Sequence, residues 1–184
     1  MALAVELYFD ARTERTVDSL REEIHAAGIE PSPLLTGARP HVSLALVETD
    51  DVPRLSEVVD LFAADTERCP VTLVSLASFS SSKGVLFLAP VPTRRLLELH
   101  ARFYARLAAE RLEFDELYAP GSWVPHCTLE MGLSGSQLAT AFDSCWRSFS
   151  PVSGELVAAG VVSYPPPSTH SVSLLDEPAS ASET

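Results

Sequence analysis

Pro40-His41-Val42-Ser43-Leu44 is matched 85 residues further on by Pro125-His126-Cys127-Thr128-Leu129. Both segments read Pro-His-x-[Ser/Thr]-Leu, in a chain of 184 residues that has only five histidines. Two histidines and two hydroxyls delivered by similar segments point to a duplicated unit and to a two-histidine acid–base site. Side chains of a strand alternate between its faces. In an extended first segment His41, Ser43 and Ala45 share one face, and Val42, Leu44 and Leu46 share the other. In the second, His126, Thr128 and Glu130 share a face, opposed by Cys127, Leu129, Met131 and Leu133. The apolar rows then pack on helices, and each histidine stands beside its hydroxyl on the free face. A helix would scatter residues i and i+2 around its circumference, so the chemistry requires strands. Proline cannot donate to a sheet ladder, which puts each histidine near the start of its strand.

Working outward, residues 2–10 alternate as a strand, with Val5, Leu7 and Phe9 on one face. Val17, Leu20, Ile24 and Ala27 follow helical spacing over 13–27, with Gly28 as the stop. A loop containing Pro31, Pro33 and Gly37 leads to the first motif strand, 41–48. A helix over 53–66 and a hairpin of strands 71–79 and 84–91, turning at Ser80-Ser81-Ser82-Lys83-Gly84, follow. The order then returns: a helix over 93–111, a loop through Tyr118 and Trp123, the motif strand 126–133, and a helix over 136–147. Strands near 154–164 and 169–175 close the chain. Each half reads helix, motif strand, helix, strand, strand, with no linker between. The reading is one domain over 1–176 with two pseudo-equivalent lobes, and a small, polar, acidic and disordered tail over 177–184.

Composition narrows the function. The chain is 46% hydrophobic and 21% charged, which is globular. Its formal net charge is −12. Proteins that grip long nucleic acids neutralise many phosphates with Lys and Arg, so a long polyanion is disfavoured and a compact phosphate ligand is not. Cys69, Cys127 and Cys145 are odd in number and lack Cys-x-x-Cys spacing, so they read as reduced buried thiols. No apolar run reaches the roughly 18 residues of a membrane span. The opening residues carry an early acid and no basic n-region, so a soluble cytoplasmic protein is expected.

The paired His-x-[Ser/Thr]-Leu motifs resemble those of the 2H phosphoesterases, which include the 2′-5′ RNA ligase-like proteins and the RNA cyclic phosphodiesterases. Ser78-Phe79, Val85-Leu86-Phe87-Leu88 before a long helix, and Trp123-Val124-Pro125-His126 extend the resemblance over about residues 1–176. It implies an α+β fold of two pseudo-symmetric lobes. Two antiparallel sheets face each other across a central cleft, with helices outside and one motif on each sheet.

The implied chemistry is hydrolysis of a 2′,3′-cyclic phosphate or a related nucleotide phosphodiester. An imidazole titrating near pH 6.5 lets one histidine be neutral and the other protonated near neutrality. On this reading His41 and His126 are the acid–base pair, in an order the sequence leaves open. Ser43 and Thr128 hold the non-bridging phosphate oxygens. No metal or cofactor is called for; a zinc site from the two histidines with Cys127 or Glu130 lacks three convergent ligands. Arg39 and Lys83 are candidate positive charges at the mouth. Tyr118 and Trp123 are candidates to stack a base, Trp123 alternatively serving as a buried loop anchor. Met131 stands where RNA-directed relatives often carry a basic residue. With Glu130 on the expected cleft face and the acidic net charge, this favours a nucleotide or short RNA end bearing a cyclic phosphate. Long nucleic acid, a membrane and a protein partner are not expected. The alternatives are 2′-5′ RNA ligation, 3′-end exonuclease trimming, or a non-catalytic nucleotide-binding module. His25, His100 and His170 read as surface or half-buried residues.

Overall fold

The computed structural model describes residues 2–80 and 83–177. The first half contains β1 (Ala2–Phe9), α1 (Ala11–Ala26), β2 (His41–Glu48), α2 (Val52–Ala64) and β3 (Cys69–Ser78). The second contains β4 (Leu86–Pro90), α3 (Arg94–Ala109), a 3-10 turn (Glu116–Tyr118), β5 (Cys127–Glu130), α4 (Gly135–Trp146) and β6 (Val152–Ser163), followed by β7 (Ser168–Leu174). The repeat is therefore β-α-β-α-β and begins one strand earlier than the helix-first order read from the sequence. The expected disordered tail lies outside the described residues except for Glu177, whose carboxylate pairs with Arg68 at 3.1 Å.

The halves exchange their third strands. β3 of the first pairs with β4 of the second, and β6 of the second pairs with β1 of the first. β3 and β6 also pair with each other, Cys69–Leu73 against Val152–Leu156. The sheet runs β2-β1-β6-β3-β4-β5, antiparallel throughout, with β7 on the remaining stretch of β6. The two expected sheets are the two wings of this path, joined along β6. The motif strands β2 and β5 lie at opposite ends of it, yet they approach each other, so the wings curl together.

Helices close the outer faces in exchanged pairs, α1 with α4 and α2 with α3. Their apolar stripes follow 3-4 spacing: Val17, Leu20 and Ile24 on α1, and Leu96, Leu99, Phe103 and Leu107 on α3, all buried. Each such side chain contributes about 1.5–3 kcal/mol on leaving water. Phe62 of α2 meets Phe103 of α3 edge to face, centroids 4.9 Å apart. Asp10 caps α1 by accepting from the N–H groups of Arg12 and Thr13, and its second oxygen accepts from the Glu155 N–H of β6 at 2.8 Å. Ser134 and Gln137 form a capping box on α4. No helix among the described residues is long and apolar enough to cross a membrane.

Two strand irregularities set the site. The pairing of β1 with β2 passes from Val5↔Ala45 to Glu6↔Ser43, leaving Leu44 as an extra residue. The pairing of β4 with β5 passes from Leu86↔Glu130 to Phe87↔Thr128, leaving Leu129 extra. The final leucine of each motif is thus a β-bulge, and beyond it the alternation of side chains reverses. Ala45 turns into the core instead of sharing a face with His41 and Ser43. Glu130 likewise leaves the face of His126 and Thr128. Both corrections to the plain alternation have this one cause.

Candidate functional site

His41 opens β2, and His126 immediately precedes β5. Each imidazole is fixed in the same way. His41 Nδ1 lies 2.8 Å from the Arg39 carbonyl oxygen, and His126 Nδ1 lies 2.7 Å from that of Val124. A carbonyl only accepts, so each Nδ1 carries the proton and each Nε2 is left to exchange one. The histidines are near enough that charge on His41 bears on His126.

The surroundings of the two rings differ. His126 packs edge-on to Phe79 at 4.9 Å and against Phe87 at 5.2 Å, centroid to centroid. Burial holds its pKa below the usual histidine value, against the opposing bond to Val124 and with the proximity of His41 adding to the shift. His41 Nε2 instead lies 3.4 Å from Glu6 Oε1. Glu6 is 2% exposed and accepts from the Tyr164 hydroxyl at 2.5 Å. The phenols of Tyr8 and Tyr164 are both pushed well up, first by burial and then by the Glu6 charge. Tyr8 lies over Gly160, where an added Cβ would come within 2.7 Å of the ring, so β6 needs glycine there.

The hydroxyl of Ser43 sits next to that of Tyr118, whose own ionisation is pushed up by burial. Ser43 and Thr128 are both half-buried. The Arg39 guanidinium stacks over the Tyr8 ring, 4.2 Å from its centroid, and pairs with Glu14 Oε1 at 2.7 Å. The structure therefore brings His41, Ser43, Tyr118 and Arg39 around β1, with His126 in electrostatic reach.

The other candidates have their own surroundings. Trp123 is 9% exposed, stacks flat on His100 at 4.0 Å and donates its Nε1–H to the Ser43 carbonyl, so it anchors the loop to β2. His100, expected to be a surface or half-buried residue, is 3% exposed, because its ring fills the space beneath that indole. Lys83 lies in the hairpin turn, its carbonyl accepting from the Gly132 N–H beside β5. Glu130 is 1% exposed and bonded to His25 Nε2 and to the N–H groups of Ser32 and Met131, so it pins the 28–40 loop and is absent from the cleft. Cys127 is fully buried beside the His41 backbone, and burial pushes its thiol up to about 11. No group of three or more metal-ligating side chains forms among the described residues.

The sequence reading missed Glu6, Tyr8, Tyr164 and Arg21. An acid and a phenol on the face of β1 opposite Val5, Leu7 and Phe9 were the visible sign of the first two. Arg21 donates to the carbonyls of Ala38 and Thr128, at 3.1 and 2.9 Å, tying both motif segments to α1. It also lines a groove of about 570 Å³ between α1 and the 31–40 loop, a space that holds neither motif histidine. Most of the charges there are paired: Glu14 with Arg39, Asp18 with Arg21, Glu130 with His25, while Glu22 also lines the groove.

The sequence model of the 2′-5′ RNA ligase superfamily matches residues 9–165. No curated protein matches the chain by sequence. Among solved structures, E. coli LigT complexed with 3′-AMP is 15% identical, with a TM-score of 0.65 over 95% of this chain and 98% of that one. TT0787 of Thermus thermophilus is 14% identical, with a TM-score of 0.64 over 96% and 99%. E. coli LigT complexed with NADP+ is 15% identical, with a TM-score of 0.63 over 95% and 97%. At these identities the likeness is one of fold, and it extends over nearly the whole of each chain.

Proposed function

The chain belongs to the 2′-5′ RNA ligase superfamily, that of the 2H phosphoesterases, and from that premise we propose a metal-independent phosphoesterase that hydrolyses 2′,3′-cyclic phosphates or related nucleotide phosphodiesters. The observation that carries this reading is the matched pair of imidazoles, each with Nδ1 tied to the carbonyl two residues back and Nε2 available. A binding module needs no such pair of titratable groups.

In the proposed reaction one Nε2 takes a proton from water as its oxygen bonds to phosphorus. The phosphorus–sugar oxygen bond breaks, and the other Nε2 protonates the departing oxygen. Each positioned acid or base contributes about 10²–10⁴-fold. Ser43 and Thr128 donate to the non-bridging oxygens, where negative charge grows. Arg39 and Tyr118 are the better placed of the further substrate-binding candidates, since both adjoin β1 beside the first motif.

The 3′-AMP and NADP+ held by E. coli LigT support a nucleotide as the substrate class. The net charge of −12 favours a mononucleotide or a short RNA end over a long strand. Glu130 no longer contributes to that preference, being outside the cleft. The test is a panel of 2′,3′-cyclic mononucleotides, cyclic-phosphate-ended oligomers and 2′-5′ oligonucleotides, assayed with wild type, His41→Ala and His126→Ala, with and without chelator. Turnover by wild type alone, insensitive to chelator, supports the reading. Binding without turnover by any of the three favours the binding module.

A further inference from the structure

The two motif strands face unlike partners at one equivalent position. Glu6 pairs with Ser43 across the first motif strand, and Phe87 pairs with Thr128 across the second. Each stands beside the bulge, on the face that carries the histidine, so the two are equivalent in the repeat. One wing thus sets a buried carboxylate against its histidine, and the other sets a phenyl ring. We infer that Glu6 is a positioning residue that holds His41 as the imidazolium, making His41 the proton donor and His126 the proton acceptor; this rests on the phosphoesterase reading above.

The geometry gives Glu6 few alternatives. Its Oε1 accepts from the Tyr164 hydroxyl and lies 3.4 Å from His41 Nε2. The other ionisable neighbours are Tyr8 on β1, Tyr164 after β6, Tyr118 on the 3-10 turn, His126 before β5 and Arg39 before β2, with Arg21 of α1 acting from further off. Glu6 is the one carboxylate among these groups. An unpaired anion this deeply buried is costly, so a protonated His41 completes it. On the other wing, Phe79 and Phe87 offer an imidazolium no counter-ion, which leaves His126 Nε2 neutral and able to accept.

The direction of transfer follows. Water enters on the His126 side and loses a proton to that Nε2 as its oxygen bonds to phosphorus. The sugar oxygen leaves on the His41 side and takes the Nε2 proton. The net change is addition of one water, and both rings are reset by proton exchange with solvent. In this scheme Glu6 acts through His41 and on no reacting atom.

Glu6→Gln keeps the shape and the Tyr164 bond and removes the charge. With Glu6 holding the acid, the alkaline limb of the pH–rate profile moves down by about one pH unit, a roughly tenfold loss near pH 8, and the acidic limb stays in place. Glu6→Asp restores most of the lost rate. Nitrogen-15 spectra of the ring in the free protein near pH 7 give an imidazolium for His41 in wild type and a neutral ring in Glu6→Gln. A uniform loss at every pH, or both limbs unmoved, overturns the role of Glu6 while the phosphoesterase reading stands. If wild type turns over nothing in the panel, the phosphoesterase reading fails instead. The spectra then decide for Glu6 alone, an unchanged His41 ring overturning it.

Discussion

Arg21 of α1 donates to the carbonyl oxygen of Thr128 on β5 at 2.9 Å. The same guanidinium donates to the Ala38 carbonyl three residues ahead of His41, at 3.1 Å. One buried side chain from the first half therefore holds the exposed edge of the second motif strand and the approach to the first. Beyond the pairing along β6, this fixes how far apart the two motifs stand.

Arg21→Met removes both bonds and leaves two carbonyls without donors. The expected loss is about 2–3 kcal/mol of unfolding free energy, read as a lower urea midpoint at unchanged m. The rate per folded molecule falls as well, because the motif segments lose their common tie. Full stability in the variant would contradict the clamp.

Glu130→Ala should act on stability and spare the chemistry. Its carboxylate takes three bonds from His25, Ser32 and Met131, and their loss costs about 1–3 kcal/mol. The KM for the best panel substrate stays at the wild-type value. A changed KM with unchanged stability would put Glu130 back in the cleft.

Burial lowers the pKa of both His100 and His126 below the usual histidine value. The unfolded chain then takes up protons as pH falls through about 6.5, before the folded protein does, so stability declines in that window. Thermal melts from pH 8 to 5 should show the midpoint flat above neutrality and falling below about pH 6.5. His126→Ala flattens part of that fall. In the pH–rate profile the acidic limb lies below 6.5, and Phe79→Ala, which opens the ring to water, moves that limb up.

Asp10 caps α1 and links it to β6. Burial by itself would raise its pKa, but donors from Glu155, Thr13 and Arg12 hold the carboxyl below the ordinary carboxylate range. Asp10→Ala costs about 1 kcal/mol for the cap alone. The contribution is present above about pH 3.9 and lost as pH falls through the lower folded value, so wild type and variant converge in strong acid. A gap that widens on acidification would contradict this.

The order of elements was legible because periodicity of 2 and of 3.6 is written in the letters. Val5-x-Leu7-x-Phe9 and Leu96, Leu99, Phe103 each mark an element close to its observed bounds. The bulges at Leu44 and Leu129 were not legible. A bulge is a backbone event, and leucine there looks like any core leucine, so plain alternation puts Ala45 and Glu130 on the wrong face. The tautomer-fixing bonds to the carbonyls of Arg39 and Val124 also lie in the backbone. Glu6 was legible in principle, as an acid inside an otherwise apolar strand. Its meaning required the register that sets it beside Ser43 and sets Phe87 beside Thr128.

In the proposed reaction His41 and His126 exchange protons with a cyclic phosphodiester. The most direct measurement is the hydrolysis rate of a 2′,3′-cyclic mononucleotide by wild type, His41→Ala and His126→Ala at matched folded concentration. Turnover by wild type and a loss of at least about 10²-fold in each variant are expected. Equal rates in all three proteins would contradict the claim.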